Sequence, residues 1–303
     1  MDASTVDAGA GSPVMSAPSP QPQIFAVVGP TAVGKSDFAI EWARENDGEI
    51  VNADSMQLYR GMDIGTAKLP MAERLGVPHH LLDIWPVTKT ATLAEYQQQA
   101  LDAIDEIAGR GKRPVVVGGS GMYVHSVVDR WDIPGTDPEV RERLETELAE
   151  LGSEALHARL ATVDPAAAIA ILPSNGRRIV RALEVVALRG SFSAQLPTFE
   201  PNDAITLVGL RKPREALDEH IEQRVERMWA QGFVAEVREL DGEGLRQGLT
   251  ASRALGYAQV LSFLAGDCSE DEARAETVRA TRRFARRQES WFKRDPRVQW
   301  TDV

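Results

Sequence analysis

The stretch Gly29-Pro30-Thr31-Ala32-Val33-Gly34-Lys35-Ser36 decides how this chain reads. It fits G-x-x-x-x-G-K-[ST], the phosphate-cradling P-loop. The apolar run Ile24 to Val28 before it predicts a buried strand, and Asp37 to Glu45 after it predicts a helix. Glycines let the backbone wrap an anion, and the amide N–H groups at a helix N-terminus point at its oxygens. Lys35 adds a point charge, and the Ser36 hydroxyl is the ligand such a loop offers to Mg²⁺. The motif leaves open which phosphate compound binds, ATP included, and what happens to it.

Outward from the loop, short β-branched runs alternate with helical patterns. Strands are predicted at Ile24–Val28, Glu49–Ala53, Pro114–Val117 and Ile205–Leu210. These runs are almost wholly apolar, as expected for strands covered on both faces. Thr92 and Glu95 form a capping box ahead of a helix reaching Ala108, with Leu93, Tyr96, Ala100, Ile104 and Ile107 at helical spacing. The alternation implies an α/β fold: a P-loop doubly wound parallel sheet. From 132 to 198 the strand signals stop, and helices are expected at Asp137–Leu151, Ser153–Leu160, Pro165–Leu172 and Arg177–Arg189. This stretch reads as a helical insertion domain. The core is then 24–131 and 199–303, with helices at Pro213–Leu240 and Ser269–Lys293. Residues 1–23, rich in Ala, Ser, Pro and Gly, read as a disordered tail within which Met15 is an alternative start.

Composition narrows the class. The chain has 303 residues, 43% of them hydrophobic, enough for a real core. Its one cysteine, Cys268, cannot form an internal disulfide, which fits a cytoplasmic protein. No apolar run approaches a membrane span, and the N-terminus lacks the basic start and apolar centre of a signal peptide. A net charge of −11 disfavours a nucleic-acid binder, but its distribution does not. Arg274 to Arg297 carries nine basic residues against Glu276, Glu289 and Asp295, and Arg177, Arg178 and Arg181 form a second cluster. Most such runs are solvated helix faces; two of them keep a polyanionic partner in play.

In a parallel sheet the ligand lies at the carboxyl ends of the strands. Three segments fall there: the P-loop, Asn52 to Gln57, and Gly118 to Gly121. Asp54 in the second is either a Mg²⁺ ligand or general base, or else a turn or N-cap aspartate. Gly118 to Gly121 with Ser120 is either a ligand loop or a plain turn. Arg224 falls inside the apolar stripe of Leu217, Ile221 and Met228 at 100° per residue, so it either snorkels, meets an internal carboxylate, or meets an anionic ligand. His79-His80 has no third ligand at metal-binding spacing, and Asp83 is a weaker carboxylate candidate. There is no Walker-B run of apolar residues ending in an acid and no N-K-x-D, which counts against ordinary NTPases and GTPases.

Together these segments resemble the tRNA dimethylallyltransferases (tRNA isopentenyltransferases). The matching blocks are GPTAVGKS at 29–36, NADSMQLYRGMDIGTAK at 52–68, PHHLLDI at 78–84, VVGGSGMYV at 116–124, DPEVR at 137–141, RRIVRALEV at 177–185, IEQRVERM at 221–228 and RALGYAQ at 253–259. The resemblance implies transfer of a dimethylallyl group from dimethylallyl diphosphate to N6 of adenosine 37 in tRNA. The P-loop, Gly29 to Ser36, then holds a diphosphate leaving group, with Thr31 and Arg224 as catalytic partners, and Mg²⁺ sits at Ser36. Asp54 becomes the general base. Asp54, Ser55, Met56 and Gln57 meet the target base, and Ser120, Arg141, Arg177, Arg178 and Arg181 meet the tRNA, the insertion gripping the anticodon stem-loop. Ser120 replaces a frequent threonine but keeps the hydroxyl; Ala258 replaces a residue that is often basic or polar. The same reading expects a cytoplasmic monomer without membrane or obligate protein partner. Rivals are an adenylate prenyltransferase acting on AMP, ADP or ATP, a P-loop small-molecule kinase, and a nucleotide-sensing RNA-binding protein.

Overall fold

A computed structural model describes residues 22–192 and 199–303. The apolar run before the P-loop is β1 (Ile24–Val28), near the middle of a six-stranded sheet. The others are β2 (Gly48–Asn52), β3 (His79–His80), β4 (Arg113–Gly118), β5 (Ile205–Arg211) and β6 (Gln299–Asp302), in the order β3-β2-β4-β1-β5-β6. Each neighbouring pair runs parallel. β1 and β2 are buried almost throughout because helices cover both faces. One face packs on α2 (Leu93–Gly109), α3 (Gly121–Val128), α8 (Phe233–Gly242) and α9 (Tyr257–Ala265), the other on α1 (Lys35–Glu45), and α7 (Arg214–Ala230) contributes to both, Val225, Met228 and Trp229 to the first and Leu217 and Ile221 to the second. α10 (Glu270–Phe292) reaches both, through Phe292 and Ala285. At the start of α2 the Thr92 hydroxyl accepts the Glu95 N–H at 3.2 Å, as its capping box predicts.

The segment between β4 and β5 holds α4 (Pro138–Val163), α5 (Pro165–Ala170) and α6 (Gly176–Arg189). Leu144, Leu156, Leu160, Ile179 and Leu183 make a separate small core for these helices. Gly152, at φ 81°, breaks α4 where the sequence predicts two helices. Residues 193–198 of the expected insertion and 1–21 of the expected tail lie outside the described residues.

Three features differ from the sequence reading. Pro213–Leu240 is two helices, α7 and α8, because Gly232 turns the chain at φ 97°. The edge strands β3 and β6 are too short and too exposed to carry an alternation signal. α9 fills the stretch before α10. No helix among the described residues is long and apolar enough to cross a membrane.

Candidate active site

The strand order does what the sequence could only suggest. β4 sits between β1 and β2, so the loops leaving these three strands lie side by side at their carboxyl ends. They approach closely: a Cβ on Gly118 would fall 2.3 Å from the Ala53 carbonyl, so only glycine fits beside the residue that precedes Asp54.

The P-loop joins β1 to α1. Ala32 and Gly34 take positive φ, 65° and 104°, which curls the loop back over the helix start. Gly34 caps α1 without a side-chain acceptor, leaving the first N–H groups of the helix to a ligand. Lys35 Nζ donates to the Pro30 carbonyl at 2.7 Å. Burial pulls its pKa from 10.5 down to about 8; the Asp54 charge works against that fall and the Arg224 charge adds to it. Lys35, Asp54 and Arg224 therefore feel one another's fields.

Arg224 rises from the buried stripe of α7, between Ile221 and Val225. An internal carboxylate is not the partner observed: Arg224 donates to the Thr66 carbonyl at 3.1 Å, and among the described residues it forms no ion pair. Burial holds its pKa below the ordinary arginine range; the Asp54 charge works against that fall and the Arg227 charge adds to it. Gln57 Nε2 donates to the same Thr66 carbonyl at 3.2 Å. One backbone oxygen thus orients two candidate site residues.

Asp54 ends β2. Its Oδ1 accepts the Met56 N–H at 2.9 Å, and its own N–H donates to Asn52 Oδ1 at 3.0 Å, so Asp54, Ser55, Met56 and Gln57 form one fixed turn, with Asp54 only partly buried. Behind it the rings of Tyr96 and Tyr123 meet at 4.5 Å. Burial, with the Asp54 charge contributing, pushes both phenols well above their ordinary range. Ser120 caps α3 at the neighbouring loop.

The sequence reading missed three residues that build this site. Gln288, buried on α10, accepts the Thr31 N–H at 2.8 Å. Its Nε2 lies where a Gly119 Cβ would come within 2.2 Å, so one amide wedges between the P-loop and the Gly118–Gly121 loop. Lys68 buries its ammonium between Asp63 and Asp83 and donates to the Tyr59 carbonyl at 2.9 Å. That makes Asp83 a structural partner of Lys68. Glu236 on α8 takes the N–H groups of Asp63, Ile64 and Gly65. His79 and His80 engage separate partners, the Val77 carbonyl and Glu49.

The basic clusters are less uniform than their charge suggests. Arg141 and Arg181 both donate to Glu184, a fully buried carboxylate, at 3.0 and 2.7 Å. Arg177 and Arg178 stand exposed at the start of α6. On α10, Arg274 and Arg282 pair with Glu226 and Glu222 of α7, and Arg279 and Arg283 with Glu276. Arg287 and Arg294 lie over the rings of Phe284 and Trp291.

A family model described as "IPP transferase" matches residues 57–295. The chain is 62% identical over 287 residues to a tRNA dimethylallyltransferase of Streptomyces avermitilis, covering 94% of this chain and 92% of that one. It is also 62% identical over 283 residues to the protein of that name from Thermobifida fusca, covering 91% and 89%. Among solved structures, the tRNA isopentenylpyrophosphate transferase of Bacillus halodurans superposes with a TM-score of 0.69 at 38% identity, covering 93% of this chain and 90% of that one. A eukaryotic dimethylallyltransferase shares the fold, with a TM-score of 0.77 at 23% identity, covering 93% and 74%. With its anion-ready loop, its partly buried carboxylate and these likenesses, the chain belongs to the IPP transferase family, that of the tRNA dimethylallyltransferases.

Proposed function

We propose that this prenyltransferase moves a dimethylallyl group from dimethylallyl diphosphate to N6 of adenosine 37 in the anticodon loop of tRNA. The observation that carries the reading is the pairing of Lys35 and Arg224. Both are crowded cations whose hydrogen bonds go to carbonyl oxygens, beside an uncapped helix start and facing Asp54. That is an anion site next to a carboxylate. The N–H groups of Gly29 to Ser36 and the two cations take the diphosphate. As the N6–carbon bond forms and the carbon–oxygen bond breaks, the electron pair leaves on the diphosphate, and these donors stabilise its growing charge. Asp54 accepts the proton that N6 loses.

Magnesium fits the donors present. Ser36 offers a single hydroxyl, and Mg²⁺ commonly takes one or two protein oxygens and completes its shell with substrate phosphates and water. When bound it neutralises phosphate charge. The target adenine leaves its stack to reach the strand ends, where Ser55, Met56 and Gln57 line the approach. Ser120 and the α6 arginines, Arg177 and Arg178 foremost, supply contacts to the anticodon stem-loop, in the cytoplasm where tRNA is found.

The test is transfer of labelled dimethylallyl, with Mg²⁺, to unmodified tRNA and in parallel to AMP and ATP. Label in tRNA alone is expected. Label in a mononucleotide makes the chain an adenylate prenyltransferase, and label in neither, with ATP turnover, makes it a kinase.

A further inference from the structure

We propose that Glu236 is a positioning residue for the diphosphate clamp: it fixes the turn at residues 63–66 and thereby sets where Arg224 and Gln57 point. The inference rests on the reading of Arg224 as a diphosphate ligand.

Glu236 lies on α8, and its carboxylate is filled by the turn at residues 63–65, in the connection that leaves β2. Oε2 accepts the N–H groups of Ile64 at 2.6 Å and Asp63 at 3.2 Å. Oε1 accepts the Gly65 N–H at 3.2 Å and the Tyr257 hydroxyl at 2.6 Å. Consecutive N–H groups turned to one side form an anion nest, here occupied by the protein's own carboxylate. Four donors match the acceptor capacity of one ionised carboxylate.

Sterics enforce the same position. A Cβ on Gly65 would fall 2.2 Å from the Phe233 ring and 2.5 Å from the Tyr257 ring, so the turn lies flat on two aromatics that meet edge to face. The next residue delivers the consequence. Thr66 Oγ1 donates to the Met62 carbonyl at 2.6 Å, closing the turn, and the Thr66 carbonyl faces the site. There it accepts from Arg224 at 3.1 Å and Gln57 at 3.2 Å. Lys68, held by Asp63 and Asp83, pins the far side. Arg224 is thus aimed by a backbone oxygen whose place depends on a carboxylate on the next helix, α8.

Glu236→Gln keeps the shape but replaces one acceptor oxygen by an NH₂ group facing N–H donors. Misplacing a catalytic group by about 1 Å costs on the order of 100-fold. The full chain is compared as wild type, Glu236→Gln, Tyr257→Phe, Arg224→Ala and Glu236→Gln/Arg224→Ala. Single-turnover prenyl transfer to tRNA, tRNA affinity and thermal midpoint are read for each. Glu236→Gln is expected to lower kcat/KM for dimethylallyl diphosphate about 10- to 100-fold while tRNA affinity stays within about threefold. Tyr257→Phe, which removes one of four donors, lowers it less. In the Arg224→Ala background Glu236→Gln costs clearly less than in wild type, no more than about threefold, because its main target is gone and only Gln57 remains to be displaced. Full additivity on Arg224→Ala, or a lowered midpoint with unchanged kcat/KM in Glu236→Gln, overturns the inference and leaves the Arg224 reading intact. Normal kinetics in Arg224→Ala alone overturns that reading, and the inference with it.

Discussion

Binding of the diphosphate should draw a proton onto Lys35. In the folded chain without ligand its pKa is held at about 8, against 10.5 unperturbed, chiefly by burial. A diphosphate beside the ammonium restores the charged form. A group of pKa about 8 is about one-tenth neutral at pH 7, half neutral at pH 8 and nine-tenths neutral at pH 9. Binding therefore takes up about 0.1, 0.5 and 0.9 protons at these three values, and affinity weakens about fivefold between pH 8 and pH 9. Dimethylallyl diphosphate without tRNA suits the measurement, because phosphate ionisations near pH 6 are about nine-tenths complete at pH 7 and essentially complete at pH 8 and 9, where the predicted uptake is large. Isothermal titration calorimetry in buffers of different ionisation heat reads the proton count. Lys35→Arg keeps the charge at every pH used and should bind with no pH-linked uptake. Uptake that persists in Lys35→Arg, or a wild-type affinity flat from about pH 7 to 9, refutes the reasoning. The same shift affects stability. The folded chain holds this proton less tightly than the unfolded chain, so the Lys35 charge costs stability below about pH 8, and the cost fades as pH rises toward 10.5.

Three further outcomes are expected. Lys35→Met should raise the thermal midpoint by a few degrees at neutral pH, with the gain shrinking above about pH 8, while diphosphate binding is lost; an unchanged midpoint in both ranges contradicts the assigned burial cost. Gly119→Ala drives a methyl into Gln288 Nε2 and should lower kcat/KM for dimethylallyl diphosphate about tenfold, and Gln288→Leu should do the same; full activity in both variants removes the wedge from the site. Replacing Arg177 and Arg178 together by Ala should reduce the salt dependence of tRNA affinity by about one to two in slope, and an unchanged slope takes α6 off the RNA surface.

The centre of the fold was legible because its signals are local. The P-loop, the apolar runs of β1, β2, β4 and β5, and the capping box of α2 each sit within a short window. Arg224 was legible through helical periodicity alone, since it falls in the apolar stripe of Leu217, Ile221 and Met228, all three of which are buried. What it touches was not, because Thr66 lies 158 residues away in sequence. Gln288 is separated from Thr31 by 257 residues and looks like any polar residue on an arginine-rich helix. A glycine where a Cβ has no room, as at 65 or 119, was the only trace these contacts left in the sequence. The charge of α10 was only partly legible for a related reason: the acids that pair with Arg274 and Arg282 are on α7, so counting acids within the run could not find them. Charge runs show where cations are; their spare capacity depends on tertiary neighbours.

The central claim is that Asp54 beside the Lys35–Arg224 anion site carries prenyl transfer to tRNA. The most direct measurement is single-turnover transfer by wild type and Asp54→Ala on unmodified tRNA, with tRNA affinity measured alongside and the modified nucleoside located by mass spectrometry. The account predicts dimethylallyl on adenosine 37 with wild type, and in Asp54→Ala about a hundredfold or greater loss of rate with tRNA binding retained. An Asp54→Ala enzyme that transfers at the wild-type rate would contradict it.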